Sequence, residues 1–474
     1  MIMPRRPVLT TGALFAASLA APWLAEGRAS AAVPMAVAVG KIDITPEAGI
    51  PLAGYATDTP RLAAGVRRPL HARCTVFWDN GTPNVIVTAD VLAFPRIIHQ
   101  AIRSRIVTLG VASPDFVLTA THTHNGPVLN PDITAYILYN IVDPSSHLDT
   151  VRGYAAWVQD QIVDLVQATL AANAVPCTLD YQVADEAFSY NREGMAVVER
   201  DVPILAARAL DGAPLAVLFG YGCHPVVGPG DTLIDPDYPG LAVEVVEQQT
   251  GGFAQFLTGA AGDQDPVAPG GWQALEDRGR DLGQTVISAI AVAGRPVTGP
   301  ILTAYRDVEV RLDITDTPGN LAAARANFAV RQATAAGWIS RHAEVMIDQI
   351  DAHSFAFTTP VPVQAWRFDG GTPLRLAFLG GEPVSGYAAY CRSHYGGTNG
   401  IWFSGYAGEV PAYLPTDELL ITGGAWRYAC GWSNDFPGMG GGAMCAYGII
   451  AHYLRNAQGN GVEDTLIAAL NAVL

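Results

Sequence analysis

The chain has 474 residues, of which 28 are basic and 44 are acidic, and its formal net charge is −16. Lysine occurs once, as Lys41 in Gly-Lys-Ile-Asp. Schiff-base chemistry and a phosphate-binding P-loop are therefore excluded, because both need a lysine amine in a defined local setting. The acidic balance argues against nucleic acid as a partner, since binding phosphates requires a basic surface. Half of the residues are hydrophobic, which excludes disorder as the main state.

Residues 1–31 have the composition of an export signal rather than of a folded segment. The pair Arg5-Arg6 precedes an apolar run over residues 12–25, and Ala29-Ser30-Ala31 resembles a cleavage site. The arginine pair favours a twin-arginine signal, with an ordinary secretory signal as the alternative. The apolar run is shorter than the ~20 residues that span a bilayer, so we expect no transmembrane anchor in the mature protein. The expected location is periplasmic or extracellular.

Residues 32–474 are predicted to form one large domain of mixed α/β class, because no linker, charge run or internal repeat divides them. Short runs rich in β-branched residues predict strands over Asn84–Ala89, Phe116–Ala120, Leu215–Tyr221 and Leu374–Leu379. Amphipathic stretches predict helices over Arg96–Leu109, Leu148–Ala171, Leu241–Gln249, Trp272–Ala293, Leu321–Ala336 and Val462–Val473. Hairpin-like runs lie near Ile301–Ile314 and Ala343–Phe368. We therefore expect a mixed sheet with flanking helices.

Polar residues follow four of the strand ends, where α/β proteins usually assemble their sites. These segments are Thr121–His124, Gly222–Pro225, Ala261–Pro266 and Gly380–Pro383. Alternation along an extended chain is expected to place the imidazoles of His122 and His124 on one side.

His224 and Glu382 also follow apolar runs, and a carboxylate in such a setting is costly unless it is paired or binds a cation. Together the four residues predict a metal site at the carboxyl ends of the strands. The alternatives are two hydrogen-bonded loop histidines, a core histidine, and an acid stabilised at a helix start.

Other catalytic systems leave no signature in the sequence. It contains no Gly-x-Ser-x-Gly elbow and no His-Glu-x-x-His zinc helix. The glycine run over residues 438–442 follows no predicted strand, so we interpret it as a turn rather than a dinucleotide-binding loop. The six cysteines show no Cys-x-x-Cys pair and are interpreted as buried thiols, with Cys430 and Cys445 as the one candidate disulfide.

A series of short motifs in order along the mature chain resembles the catalytic domain of the neutral/alkaline, non-lysosomal ceramidases. The most specific motif is His-Thr-His-Asn-Gly-Pro at residues 122–127. The full series is Gly40–Pro46, Pro51–Tyr55, Pro69–Arg73, Thr88–Asp90, Thr121–Pro127, His224-Pro225 and Gly262-Asp263. The resemblance covers nearly the whole mature chain, residues 32–474.

The resemblance implies a zinc amidohydrolase. Its metal ligands would be His122, His224, Glu382 and a tyrosine that matches Tyr413. His124 would lie beside the zinc-bound water and relay a proton to the leaving group. Arg192, in Tyr-Asn-Arg, matches a family arginine and would stabilise the developing oxyanion.

Three departures from the family pattern concern the substrate. Asp265 stands where ceramidases have serine in Gly-Asp-x-Ser-Pro, which makes it a third catalytic candidate and puts ceramide chemistry in doubt. Ala425 occupies the position of a second family tyrosine, with Tyr428 as a nearby substitute. The chain also ends soon after the last amphipathic helix, so we expect it to lack the family's immunoglobulin-like C-terminal domain.

The leading hypothesis is an exported zinc-dependent hydrolase that cleaves an N-acyl amide, or an ester, in a small-molecule or lipid-like acyl substrate. A second hypothesis is a neutral ceramidase acting on N-acylsphingosine itself. The third, from a different class, is a non-catalytic metal- or glycan-binding exported protein on the same scaffold. Substrate identity, oligomeric state and the choice of zinc over another imidazole-favouring ion are not determined by the sequence.

Overall fold

The computed structural model describes residues 35–142, 145–312, 317–422 and 460–474. Several predictions fall outside these ranges and stay predictions: the export signal, the Cys430–Cys445 pair, Ala425 with Tyr428, and the glycine run over 438–442.

The described residues form eighteen strands and ten helices. The strands are β1 Ala36–Asp43, β2 Gly65–Val66, β3 His71–Asp79, β4 Thr82–Ala89, β5 Phe116–Ala120, β6 Val175–Asp185, β7 Ser189–Asn191, β8 Asp201–Ala209, β9 Pro214–Tyr221, β10 Leu233–Ile234, β11 Phe253–Thr258, β12 Gln264–Pro266, β13 Arg295–Arg311, β14 Thr358–Gly370, β15 Leu374–Leu379, β16 Glu382–Pro383, β17 Ile401–Ser404 and β18 Tyr413–Leu414. The helices are α1 Arg96–Thr108, α2 Ile133–Tyr139, α3 Ser146–Ala171, α4 Asp237–Thr250, α5 Trp272–Ile290, α6 Pro318–Thr334, α7 Gly337–Asp351, α8 Ser385–His394, α9 Asp417–Thr422 and α10 Val462–Val473.

Twelve of the strands join in one hydrogen-bonded sheet system, which consists of three four-stranded sections built on the same plan. Section 1 contains β1, β3, β4 and β5; section 2 contains β6, β8, β9 and β11; section 3 contains β13, β14, β15 and β17. In each section the first three strands pair antiparallel, and the fourth pairs parallel with the third. A helix crosses over between the two parallel strands: α1, α4 or α8. The prediction of a mixed α/β sheet is confirmed.

The three sections share one apolar core. That core takes Val37 and Phe77 from section 1, Leu218 from section 2, and Trp366 and Phe378 from section 3, all of them buried. The opposite face of each section is covered by its own helices: α1 and α3 on section 1, α4 and α5 on section 2, and α6, α7, α8 and α10 on section 3. Both faces of each section are therefore buried. This explains why the sequences of the third strands, β4, β9 and β15, are continuous apolar runs and do not alternate between apolar and polar residues.

This architecture brings the carboxyl ends of the parallel strand pairs together. Because parallel neighbours end at the same edge of a sheet, β4 with β5, β9 with β11, and β15 with β17 each present two loops on one side. Thr119 of β5 also bridges Ala407, just after β17, so the edges of sections 1 and 3 meet. The metal site predicted at the strand ends would lie at this meeting point.

One predicted feature differs in the structure. The hairpin-like run Ala343–Phe368 is not a hairpin arm throughout, because Gly337–Asp351 forms α7 and only Thr358–Gly370 forms a strand. β14 pairs antiparallel with β13, but two helices separate them in sequence. Apolar residues of α7 such as Val345, Met346 and Ile350 pack into the core on one helical face, and this short apolar stretch was misread as a strand.

Cys74, Cys177, Cys223 and Cys391 are buried free thiols, as predicted for them. Among the described helices, none combines the length and the apolar character needed to cross a membrane.

Candidate active site

His122 and His124 lie in the loop that follows β5. The Nδ1 atom of His122 donates to the carbonyl of Leu92, at 2.7 Å, and its Nε2 lies 3.3 Å from Nε2 of His124. The imidazoles are therefore close together, but strand alternation is not the reason. His122 has a φ of 67°, in the left-handed region, so the chain turns sharply at this residue instead of continuing as a strand. Such a conformation is unusual for a residue other than glycine, and it is typical of functional sites.

His224 follows β9 and meets the first two histidines from section 2. Its Nδ1 atom donates to the carbonyl of Ala261, at 2.6 Å, and its Nε2 lies 3.2 Å from Nε2 of His122. Burial, and after it the charge of Arg192, lowers the pKa of His224. The imidazole is therefore neutral, and its Nδ1 hydrogen bond leaves a lone pair on Nε2.

Glu382 follows β15 and contributes a carboxylate from section 3. Its Oε2 atom lies 3.2 Å from Nε2 of His122 and 3.2 Å from Nε2 of His224. The side chain is fully buried, and burial alone would raise its pKa. A positive charge beside the carboxylate, whether a proton on His122 or His224 or a cation in its place, lowers the pKa of Glu382 well below its usual range.

His122 Nε2, His224 Nε2 and Glu382 Oε2 form a triangle with sides of 3.2 Å. When both histidines are neutral, each carries its proton on the Nδ1 that donates to a carbonyl group, so both Nε2 atoms are acceptors and the Glu382 carboxylate is the third. Three buried acceptors at this separation repel one another unless a cation lies between them. A tetrahedral ion with bonds of about 2.0–2.1 Å holds its ligand atoms about 3.3 Å apart, so these residues fit a zinc ion.

His124 gives a second way to complete a metal site. Ligand atoms of His122, His124 and His224 all lie within 4.8 Å of one another. His124 is 5% exposed, and no described residue hydrogen-bonds to its Nδ1. Burial lowers the pKa of His124 well below its ordinary value, and His122 and His224 lower it further, so the imidazole is neutral. It is therefore available either as a ligand or as a base.

Tyr413, Arg192 and Asp265 form a chain of contacts beside the triangle. β18 pairs with β16, which places Tyr413 opposite Glu382, and the Tyr413 ring stacks on His224 with centroids 6.3 Å apart. The guanidinium of Arg192 donates to the Tyr413 hydroxyl at 3.2 Å and to the Gly262 carbonyl at 2.7 Å. It also forms an ion pair with Asp265 at 3.0 Å. The four predicted metal ligands and the three predicted catalytic residues therefore lie together in one cluster.

Two further residues at the site were not identified from the sequence. Tyr406 donates its hydroxyl to Glu382 Oε2 at 3.4 Å, and its ring lies 4.3 Å from that of His122. Burial, and the neighbouring Glu382 carboxylate, raise the pKa of Tyr406 well above its ordinary value, so the hydroxyl keeps its proton. Asp263, 2% exposed, accepts hydrogen bonds from Asn191 and Ser385. Tyr406 lies two residues after the end of β17, so the strand-end rule that found His122 could have found it as well.

The fold is similar to those of two solved ceramidase structures. One is the neutral ceramidase from Pseudomonas aeruginosa, with a TM-score of 0.64 and 20% sequence identity over 87% of this chain and 72% of that one. The other is a ceramidase complexed with C2, with a TM-score of 0.66 and 18% identity over 93% of this chain and 76% of that one. No protein-family model matches the chain, and no curated protein matches it. At these identities the comparisons show that the chain has the neutral ceramidase fold, as the motifs predicted.

Proposed function

We propose that the protein is an exported zinc-dependent hydrolase that cleaves an N-acyl amide bond, or an ester bond, in a small-molecule or lipid-like substrate. The observation that carries the proposal is the buried triangle of His122, His224 and Glu382, which needs a cation. In this proposal Tyr413, opposite Glu382, is the fourth ligand. The similarity of the fold to ceramidases supports acyl transfer to water as the reaction class.

A bound zinc ion would lower the pKa of a water molecule to about 7 and polarise the substrate carbonyl. The protein's own contribution begins with the orientation of the ligands. The Nδ1 hydrogen bonds to Leu92 and Ala261 fix the rotation and the tautomer of both histidines. The hydroxyl of Tyr406 donates to Glu382 Oε2 and helps to fix the position of that carboxylate. A rigid set of ligands reduces the reorganisation needed during the reaction.

His124 is the proposed proton carrier. Its neutral imidazole, buried beside His122, can accept a proton from the attacking water as the acyl carbon gains a hydroxyl group. The same proton then passes to the leaving nitrogen as the carbon–nitrogen bond breaks, giving a carboxylic acid and an amine. Because Nδ1 of His124 receives no hydrogen bond from the described residues, the ring can exchange protons without losing a structural contact.

Arg192 was predicted to stabilise the developing oxyanion, and its surroundings suggest an additional role. Its guanidinium is held by Asp265, Gly262 and Tyr413, and the aspartate offsets its positive charge. We therefore assign to Arg192 the positioning of the Tyr413 hydroxyl. Any direct effect of Arg192 on an oxyanion would be weaker than that of an arginine with no carboxylate beside it.

A ceramidase acting on N-acylsphingosine is the second candidate, and it is favoured because both of the similar structures are ceramidases. Asp265 argues for the broader substrate class, because an ionised carboxylate cannot donate a hydrogen bond as the family serine does. Export to the periplasm or the cell exterior rests on residues 1–31 and is part of the proposal.

The test is metal analysis together with an acyl-hydrolysis assay on the purified mature chain. We expect about one zinc per chain, hydrolysis of simple N-acyl amides or esters, loss of turnover on chelation, and recovery with added zinc. Parallel assays with N-acylsphingosine distinguish the ceramide hypothesis from the broader one.

His122→Ala is the informative variant and His394→Ala is its control, because His394 is an exposed histidine whose hydrogen bonds to described residues all lie within α8. The first should lose zinc and turnover, and the second should keep both. Full zinc content in His122→Ala would refute the site assignment. Bound zinc with no turnover of any acyl compound would favour the non-catalytic, metal-binding alternative.

A further inference from the structure

The short ladder between β7 and β12 presents an aromatic ring and a carboxylate side by side. The two strands pair antiparallel with Tyr190 directly opposite Asp265, and residues opposite each other in such a pair project from the same face. Tyr190 is 44% exposed, and the Asp265 side chain is 24% exposed. Both groups are therefore open to a molecule that approaches this face.

Backbone hydrogen bonds connect both strands of this ladder to the proposed catalytic centre. The backbone N–H of His224 donates to Gln264 in β12, and that of Arg192, just after β7, donates to Asp263. Asp265 Oδ1 lies 4.0 Å from Nδ1 of His224. The carboxylate thus lies next to the proposed ligand His224, and the ring lies beside the carboxylate at the edge of the site.

Only one oxygen of Asp265 is engaged. Oδ1 accepts from Arg192 at 3.0 Å, whereas Oδ2 has no hydrogen bond or ion pair within the described ranges. The carboxylate therefore offsets the charge of Arg192 and still has an acceptor to offer a ligand. A serine at this position would remove this negative charge from beside Arg192 and would offer none to a ligand.

An open carboxylate oxygen beside a half-exposed aromatic face is a combination that favours an alkylammonium group. The oxygen can accept a charge-assisted hydrogen bond, and the ring face attracts the same cation. A neutral hydroxyl would gain neither electrostatic interaction. The net charge of −16 adds a long-range attraction for cations.

We propose that Asp265 and Tyr190 form a subsite for a protonated amine carried by the acyl substrate close to the bond that is cleaved. The inference rests on the proposed function and narrows it to N-acyl or ester compounds that bear an ammonium group. The aspartate that departs from the family pattern thereby becomes a determinant of specificity.

The test compares two substrates with the same acyl chain, an N-acyl ethylenediamine and an N-acyl ethanolamine, which differ in a terminal ammonium or hydroxyl group. For the wild-type protein we expect kcat/KM to be roughly 5- to 30-fold higher for the ammonium compound, the combined range for a partly exposed ion pair and a cation–π contact. In Asp265→Asn the ratio should fall, and only the roughly 2- to 5-fold contribution of the Tyr190 ring should remain. Tyr190→Leu should lower it partly, and Tyr190→Phe, which keeps the ring, should preserve it.

The matched control is Asp201→Asn, a partly exposed carboxylate that pairs with Arg392 at 3.7 Å, and it should leave the ratio unchanged. A wild-type ratio near one would overturn the proposal. So would an equal fall for both substrates in Asp265→Asn, because that result would give Asp265 only the role of positioning Arg192.

A binding measurement separates this inference from the proposed function. Calorimetric titration with an alkylamine and with the alcohol of the same length should show tighter binding of the amine to the wild-type protein, and a smaller difference for Asp265→Asn. If neither acyl compound is hydrolysed, the proposed function fails, but preferential amine binding would still support the subsite. Equal binding of amine and alcohol would refute it whether or not hydrolysis occurs.

Discussion

Replacing Asp263 with asparagine should strongly destabilise the protein, although Asp263 is not a proposed ligand or proton carrier. Its Oδ1 atom accepts from the backbone N–H of Ser385 at 2.8 Å and from Gln264 at 3.2 Å. Oδ2 accepts from the Ser385 hydroxyl and from the Asn191 amide, both at 2.7 Å. The carboxylate therefore ties the start of α8, which follows Glu382, to the strand that leads into Arg192.

The expected cost follows from this set of bonds. An asparagine can keep the two Oδ1 bonds, but its amide group then faces the Asn191 amide, and two donors cannot pair. An unsatisfied buried donor costs about 1–3 kcal/mol, and each retained bond loses about 1 kcal/mol when its acceptor is no longer charged. The Ser385 hydroxyl can rotate and accept from the new amide, so its bond adds no further cost. One unsatisfied donor and two weakened bonds then give a total of about 3–5 kcal/mol. Whole-protein stability is only about 5–15 kcal/mol, so the loss should be obvious.

Urea unfolding followed by circular dichroism measures this change. Ser385→Ala removes one of the four bonds and should cost about 1 kcal/mol. Asp149→Asn serves as the control, because the Asp149 side chain is 81% exposed, and it should have no measurable effect. If Asp263→Asn were no less stable than Ser385→Ala, the reasoning from buried, charge-assisted hydrogen bonds would be refuted.

Three further results are expected. His124→Ala should abolish hydrolysis and keep zinc, measured by plasma mass spectrometry; loss of the metal would instead identify the three histidines as the ligands. Tyr406→Phe removes the hydroxyl that holds Glu382 and should weaken zinc binding about 10- to 100-fold in a chelator competition. Burial raises the pKa of Asp90 to about 6, above its value of about 4 in an unfolded chain, so its contribution to stability is full below pH 4 and is lost as the pH rises through 6. Asp90→Asn should remove about 3 kcal/mol of that pH dependence in urea titrations, and a pH profile identical to that of the wild type would contradict this.

The sequence predicted most of the site because its residues follow buried strands. His122, His224 and Glu382 were found from the apolar runs that precede them, and parallel pairing explains why the ends of those strands meet. Arg192 and Tyr413 carry no such signal. They were identified only by the resemblance to ceramidases, since one follows a three-residue strand and the other lies in a two-residue strand.

The threefold plan of the sheet system could not be predicted from the sequence. The plan lies in strand order and direction, which depend on long-range pairing, and the three sections share no repeated residues that a search along the chain could detect. The left-handed backbone conformation of His122 could not be predicted either, because nothing in Thr-His-Thr-His indicates a positive φ. Local patterns predict where elements lie, whereas the convergence of their ends is a property of the folded chain.

The threefold plan also explains why the proposed metal should stabilise the whole protein. His122 comes from section 1, His224 from section 2 and Glu382 from section 3, so one cation would link all three sections. Without it, three buried acceptors face one another at 3.2 Å. Chelation should therefore lower the unfolding temperature, since a ligand present at 1,000 times its dissociation constant adds about 4 kcal/mol of stability.

Glu382→Gln separates the stabilisation by the metal from the repulsion in the metal-free triangle. The glutamine amide supplies an N–H that can donate to an imidazole Nε2, so it relieves the repulsion without binding a metal. The variant should bind zinc poorly, and yet its metal-free form should unfold at a higher temperature than the metal-free wild type at pH 8, well above the ordinary histidine pKa of about 6.5. Differential scanning calorimetry of both proteins after chelation measures the difference. A metal-free variant that is less stable than the metal-free wild type would mean that the triangle is satisfied by the protein itself, and the argument for a cation at this position would fail.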